Sequence, residues 1–75
     1  MSLNDVKVNA KCVVKEINIL NEQTKIRIME LGIVSNTTII VKHKSLLKKT
    51  LLVVFNNSCF TIKDNIAKSI EVNYA

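Results

Sequence analysis

The residues able to perform acid–base or nucleophilic chemistry are few and far apart. His43 is the only histidine and lies between Lys42 and Lys44. These positive charges oppose both protonation of the imidazole and binding of a cation. A general base also needs an orienting partner and usually a nucleophile within reach. We therefore assign His43 a structural or surface role, and its parity with Ile39 and Val41 would let it face the core.

The carboxylates and thiols do not form a metal-binding pattern. Neither Cys12 nor Cys59 belongs to a CxxC motif or has a histidine at ligand spacing. We expect two reduced thiols that are at least partly buried, since free cysteine is among the most often buried residue types. The six acidic residues lack any DxD, ExxH or ExxE arrangement that would place two oxygens on one metal: Asp5, Glu16, Glu22, Glu30, Asp64 and Glu71. The sequence predicts no metal site and no cofactor.

A single glycine, Gly32, is present in the whole chain. The glycine-rich loops that hold phosphates, and the GxSxG turn that presents a nucleophilic serine, each need more than one. A nucleotide-hydrolysing enzyme is therefore excluded, and the sequence predicts that the protein is not an enzyme of any kind.

Length and composition predict one small globular domain over residues 1–75. The chain is 48% hydrophobic and has 75 residues, which is room for a single thin core. No secretory signal or membrane-spanning run is present, so a cytoplasmic location is expected. The formal charge of +5 favours nucleic acid, a lipid headgroup surface or an acidic protein face, and it is equally ordinary for solubility alone.

The elements expected from periodicity and turn residues are mostly strands. A helix is predicted over Thr24–Leu31, with Asn21 as its N-cap and Gly32 as its left-handed end. Asparagine supplies most turns, and Asn56-Asn57 predicts a tight hairpin. Helical turns are expected over Ser2–Val6, capped by Ser2, and from Asp64, as the cap, through Lys68. The predicted strands are Cys12–Leu20, Thr38–Lys44, Leu51–Phe55, Ser58–Lys63 and Ile70–Asn73.

This order predicts a mostly β fold, a small barrel of about five strands. One short helix lies between the first two strands, and a helical turn precedes the last. Five short strands that close on one another would also protect their edges.

The most unusual segment is KHKSLLKK at Lys42–Lys49, between two predicted strands. Leu46 and Leu47 contribute no free energy of burial at an exposed turn unless another surface covers them. Two interpretations stay open: the leucines fold back onto the barrel, or they dock on a partner that Lys48 and Lys49 steer electrostatically.

The run RIMELGI at Arg27–Ile33 resembles the signature R-[LI]-x-x-[LM]-G-[LI] of FeoA-type domains. The strand from Thr38 follows as in that family, and Ala67 with Ile70–Val72 resembles the closing A-x-x-I-x-V. The family usually has Pro-Gly at several turns where this chain does not. Asparagine takes three of the glycine places, Asn9, Asn36 and Asn57, and proline and glycine are missing around Leu46–Lys48.

The resemblance implies an SH3-like barrel in a prokaryotic cytoplasm that binds and modulates an FeoB-type ferrous iron transporter through its cytoplasmic part. Such a protein would be peripheral to the membrane only through this partner. The candidate partner-binding residues are the hairpin tip with the exposed side of the helix: Lys25, Arg27, Glu30, Leu46, Leu47, Lys48 and Lys49.

Two alternatives stay open. One is a small basic nucleic-acid-binding or ribosome-associated barrel, which is disfavoured because Phe55 and Phe60 share the alternation of core residues and only Tyr74 remains to stack on bases. The other is a stand-alone metal-sensing domain related to the C-terminal domain of iron-dependent repressors, using Cys12, Cys59 or His43.

Overall fold

A computed structural model describes residues 1–75 as five strands, two α-helices and one N-terminal 3₁₀ turn. The strands form one antiparallel sheet in the order β4-β3-β2-β1-β5, so the mostly β prediction is confirmed. In chain order the elements are the 3₁₀ turn Leu3–Asp5, β1 Lys11–Ile17, α1 Glu22–Leu31, β2 Thr38–Ser45, β3 Thr50–Phe55, β4 Ser58–Lys63, α2 Asp64–Ala67 and β5 Ile70–Tyr74.

The helix α1 is delimited by the residues that the sequence indicates. The backbone N–H of Thr24 donates to Asn21 Oδ1 at 3.0 Å, which satisfies one of the donors left open at a helix start. Gly32 ends the helix with φ of 106°, a conformation that costs glycine little. Only Ile28 of α1 is buried. Ile28 is therefore the one side chain that α1 contributes to the buried core.

Asparagine performs the turn duties predicted for it. Asn9, Asn36 and Asn57 have φ of 71°, 75° and 60°, in the left-handed region that asparagine tolerates better than other non-glycine residues. Asn56 adds a φ of 51°, so the β3–β4 hairpin has two successive left-handed residues, as a type I′ turn requires.

A bulge in β2 overturns the expected position of His43. The β2–β3 register shifts between Val41 and His43, where Val41 pairs with Val53 and His43 with Leu52. The extra residue, Lys42, breaks the period-2 alternation. His43 is exposed as a result, and the prediction that it could face the core with Ile39 is wrong.

The core is a single cluster of fifteen buried residues, all of them apolar. Phe55 belongs to it, and half-buried Phe60 stacks on Phe55 with ring centroids 5.0 Å apart. Cys12 is buried, whereas Cys59 is exposed on the outer face of β4. The expectation of two partly buried thiols is thus wrong for Cys59, because the alternation of β4 turns Phe60 and Ile62 inward instead.

Several predicted boundaries differ from the structure. β1 ends at Ile17 rather than Leu20, and Leu20 is 98% exposed in the loop before α1. Lys63, not Asp64, occupies the N-cap position of α2. At the N-terminal turn, the Asp5 carboxylate accepts hydrogen bonds from the N–H and the Oγ–H of Ser2.

The sheet does not close on itself through hydrogen bonds. β4 and β5 are its two edges and do not pair with each other. The N-terminal segment covers β5: Ser2 bridges to Glu71, and Val72 N–H donates to the Met1 carbonyl at 2.8 Å. No segment covers β4. The expectation that closure would protect every edge is therefore wrong at β4.

Candidate functional site

The loop between β2 and β3, residues Leu46 to Lys49, presents two leucines to solvent. Leu46 is 91% exposed and Leu47 98%, and Lys48 and Lys49 are exposed beside them. The interpretation that these leucines fold back onto the barrel is wrong. We call Leu46–Lys49 the hairpin tip.

The hairpin tip closes without proline or glycine. Ser45 pairs with Thr50 across its base, and the N–H of Lys48 donates to Ser45 Oγ at 3.2 Å. Lys49 takes the left-handed conformation, with φ of 52°. A lysine there costs on the order of 1–2 kcal/mol relative to an ordinary conformation. The loop is nevertheless tied at both ends, so the two leucines project from a defined turn.

The exposed side of α1 contributes a second candidate surface. Arg27 and Glu30 are exposed, whereas Lys25 is half-buried. Arg27 lines a groove of about 370 Å³ between α1 and the β4–α2 junction, which we call the α1–β4 groove. Its lining residues are Thr24, Arg27, Ile28, Leu31, Thr61, Ile62, Lys63 and Ile66.

The hairpin tip and the α1–β4 groove are separate features. Leu46 and Lys49 border a different concavity of about 260 Å³, together with Asn4, Lys44 and Asp64. The two concavities share no residue. Lys44 Nζ donates to the Asn4 carbonyl at 3.0 Å, which ties the β2–β3 hairpin to the N-terminal turn.

Sequence reasoning missed most of the groove. Thr61, Lys63 and Ile66 line it opposite Arg27, yet they lie more than thirty positions further along the chain. No local pattern links the two segments. Knowing that β4 is an edge strand would have indicated the groove. The order of strands in a sheet, however, cannot be read from the spacing of residues in the sequence.

The positive side chains on these surfaces are unpaired. The structure contains one ion pair, between the N-terminal ammonium and Glu71. Lys48 and Lys49 on the hairpin tip, and Arg27 and Lys63 at the groove, have no carboxylate partner. Both surfaces therefore offer cations to an incoming molecule.

No cluster of three or more histidine, cysteine, aspartate or glutamate side chains is placed to hold a metal ion. Burial raises the pKa of the Cys12 thiol, which disfavours the thiolate that would ligate metal or attack a substrate. His43 is exposed and makes no hydrogen bond to an orienting carboxylate. The three side chains considered for metal sensing are thus not brought together into one site.

The aromatic residues do not form a platform for stacking bases. Phe55 and Phe60 are packed against each other in or beside the core. Tyr74 is 48% exposed, and its hydroxyl accepts a hydrogen bond from the N–H of Lys7. One tethered aromatic ring is little for single-strand binding, which uses successive stacked bases.

Neither α-helix has the length and apolar character needed to span a lipid bilayer.

The fold and these surfaces define a class: a small antiparallel β-barrel whose exposed apolar and cationic features suit contact with another macromolecule. The model of the FeoA domain family matches residues 1–74. The chain belongs to the FeoA domain family. The resemblance of Arg27–Ile33 to the family signature is thereby confirmed.

Individual relatives agree with this assignment. A Campylobacter jejuni protein described as Fe(2+) transport protein A is 32% identical over 73 residues, which is 97% of each chain. The crystal structure of Stenotrophomonas maltophilia FeoA complexed with zinc, described as an SH3 domain protein, superposes with a TM-score of 0.81 at 25% identity. It covers 97% of this chain and 89% of that one. The SH3-like barrel expected from the sequence is confirmed.

The same fold occurs within a larger regulator. A manganese-dependent transcriptional repressor matches with a TM-score of 0.91 at 15% identity, covering 100% of this chain and 41% of the repressor. Identity at that level shows a shared fold and nothing more.

Proposed function

We propose that this protein is a non-enzymatic, cytoplasmic accessory of ferrous iron uptake that binds and modulates the cytoplasmic part of an FeoB-type transporter. Family membership and the Campylobacter jejuni relative support a role in Fe²⁺ transport. The scattered carboxylates and the wholly apolar core support action through binding rather than catalysis.

The observation that carries this proposal is the exposure of Leu46 and Leu47, at 91% and 98%. Burying one leucine side chain in an interface is worth roughly 1.5–3 kcal/mol, which these two residues do not obtain within their own chain. Lys48 and Lys49 beside them would accelerate encounter with an acidic face. Lys25, Arg27 and Glu30 on α1 form the second part of the proposed surface.

The double substitution Leu46→Asp/Leu47→Asp tests the proposal. We expect it to weaken binding to the purified cytoplasmic domain of the transporter by about 100-fold or more, because two apolar contacts are lost and two charges must be desolvated. Isothermal titration calorimetry measures the change. The substitution leaves the core intact, so the thermal midpoint should stay near that of the wild-type protein.

Leu20→Asp is the matched control. Leu20 is as exposed as Leu47, at 98%, but lies in the loop before α1 and outside the hairpin tip. Its substitution should leave the affinity unchanged. Equal binding by the double variant and the wild type would remove the hairpin tip from the interface, and no binding by the wild type would refute the transporter as partner.

A further inference from the structure

The outer edge of β4 carries backbone groups that no other strand of the chain pairs. In the β3–β4 ladder, Thr50 lies opposite Lys63, and the N–H of Asp64 donates to the Lys49 carbonyl at 2.9 Å. In an antiparallel ladder such a bond flanks a non-hydrogen-bonded pair, so Thr50 and Lys63 form a pair of that kind. From Lys63 back along β4, residues whose backbone groups point away from β3 alternate with residues that bond to it. The backbone groups of Cys59 and Thr61, and the N–H of Lys63, therefore point away from β3.

No strand of the chain pairs with these groups, and they alternate along one edge of β4. Cys59, Thr61 and Lys63 are all exposed, and β3 is the only strand that pairs with β4. An uncovered edge of this kind is a template for one more strand. Recognition by strand addition uses such an edge for affinity and neighbouring pockets for side-chain specificity.

The α1–β4 groove lies along this same edge. Thr61 and Lys63 of β4 form one wall, and Thr24, Arg27 and Leu31 of α1 form the other. Its apolar lining comes from Ile28, Leu31, Ile62 and Ile66. A strand added to β4 would thus place alternate side chains against an apolar surface, with the helix beside it.

Charge indicates the chemistry of the added strand. Arg27 and Lys63 lie on opposite walls, and neither is in an ion pair. An incoming carboxylate would be attracted from both sides, whereas a basic segment would be repelled. Arginine is also suited to bidentate pairing with a carboxylate.

We propose that an extended acidic segment of a partner protein adds as a sixth strand to the free edge of β4, in the α1–β4 groove. Its backbone pairs with Cys59 and Thr61, an apolar side chain contacts the groove lining, and a carboxylate pairs with Arg27 and Lys63. A second copy of this chain is a poor occupant, because each copy carries a charge of +5 and would bring the same cations to the shared edge.

The inference goes beyond the proposed function. Its surface lies apart from the hairpin tip, although Arg27 belongs both to the groove and to the surface proposed for the transporter. It names a segment by its chemistry, so it holds for any partner that carries one. The tests are separable as well. Loss of transporter binding on changing Leu46 and Leu47 leaves the groove untouched, and the experiment below uses a peptide in place of the transporter.

The probe is a seven-residue peptide of alternating valine and glutamate with blocked ends. Titrated to about 1 mM into the ¹⁵N-labelled protein, it should shift the amide resonances of Cys59, Thr61 and Lys63 saturably. Hydrogen exchange at the Cys59 and Thr61 amides should slow at the same time. A peptide with lysine in place of glutamate should bind roughly tenfold more weakly or not at all. Absence of shifts with the glutamate peptide would overturn the proposal.

Backbone pairing is tested by N-methylation of alternate residues of the peptide. Methylating the amides on one edge should abolish binding, and methylating those on the other edge should preserve it, because strand addition uses one edge only. Equal binding by both methylated peptides would refute strand addition. This test leaves the protein unaltered.

Variants of the protein complete the test, beginning with Thr61. Thr61→Pro removes an N–H that the β3–β4 ladder does not use, so the fold should persist while peptide binding is lost. Thr61→Val keeps the N–H and should bind as the wild type does.

Arg27→Glu/Lys63→Glu should lower affinity by roughly tenfold, and Lys15→Glu, on β1 outside the groove, should not. Binding that survives both Thr61→Pro and the charge reversal would overturn the proposal. So would a concentration-dependent dimer that protects the Thr61 amide without peptide.

Discussion

The two edges of the sheet are finished in different ways. At β5 the outward N–H of Val72 donates to the Met1 carbonyl, and Ser2 bridges to Glu71. At β4 the equivalent groups of Cys59 and Thr61 have no partner in the chain. One edge is covered by the N-terminal segment, and the other borders an apolar groove with a cation on each wall.

The β5 edge is thus closed by the chain itself, whereas the β4 edge is free to pair with another chain. Proteins protect strand edges because an unpaired edge invites pairing with other chains. Here the protection has been placed on β5 alone, where buried Leu3 and Val6 anchor the covering segment. The groove, its free backbone groups and its unpaired Arg27 and Lys63 all occur at the other edge. That coincidence is what favours β4 as a binding surface.

The largest change in stability is expected from truncating a leucine side chain to alanine at each edge. Leu3 is fully buried below the covered edge, whereas Leu31, on the groove, is 42% exposed. Leu3→Ala should lower the free energy of unfolding by about 2–5 kcal/mol. Leu31→Ala should cost only about 1 kcal/mol, since this partly exposed side chain loses less buried area than Leu3 and alanine favours the helix. Urea denaturation measures both.

The comparison would fail if the two substitutions cost the same. A large loss for Leu31→Ala would mean that the groove is part of the core rather than a surface. The slope of unfolding free energy against urea concentration serves as the control, because an unchanged slope shows that both variants unfold from the same kind of folded state.

Hydrogen exchange should distinguish the edges in the unaltered protein. The Val72 amide is bonded to the Met1 carbonyl, and the Thr61 amide faces solvent. After correction for intrinsic rates, we expect Val72 to exchange roughly 100-fold more slowly than Thr61. Nuclear magnetic resonance follows both amides in one experiment. Comparable rates would show that the N-terminal segment frays and that β5 is as open as β4.

The smallest effect concerns the carboxylate that shapes the covering segment. Hydrogen bonds from the Ser2 backbone and side chain lower the pKa of Asp5 below its ordinary value of 3.8. The folded state thus favours the charged form, which contributes stability above pH 3.8 that is lost as pH falls through the lowered value. Asp5→Asn should reduce Tm slightly at neutral pH, and the difference from wild type should shrink below pH 3.8.

Glu30→Gln is the control for that measurement. Glu30 is an exposed carboxylate without an ion pair, and its substitution should leave Tm unchanged at either pH. A pH-independent difference for Asp5→Asn would mean that the charge of Asp5 has no part in holding the N-terminal turn.

Local features were readable from the sequence because their causes are local. The N-cap Asn21, the helix end at Gly32 and the Asn56-Asn57 hairpin each depend on residues within one turn of the chain. The strand Ser58–Lys63 was predicted with the boundaries that the structure shows. Family membership followed from the run Arg27–Ile33 within the whole-chain pattern.

The failures share a different origin. A bulge at Lys42 turned His43 outward, and period-2 reasoning has no means of locating an inserted residue. Leu20 reads as strand but lies beyond the end of β1, because no neighbouring strand pairs with it. Cys59 is apolar enough for a core, yet it falls on the outer face of β4.

By itself the sequence determined the order of the elements, their turns, the family and the absence of a phosphate-binding loop. These follow from residue types and short spacings. Only the tertiary structure decided which sheet edge stays open, because that depends on the N-terminal segment reaching Glu71 at the far end of the chain. It alone brought Arg27 opposite Lys63 across one groove. These contacts between distant parts of the chain form only when the sheet folds. The spacing of residues along the sequence does not indicate them.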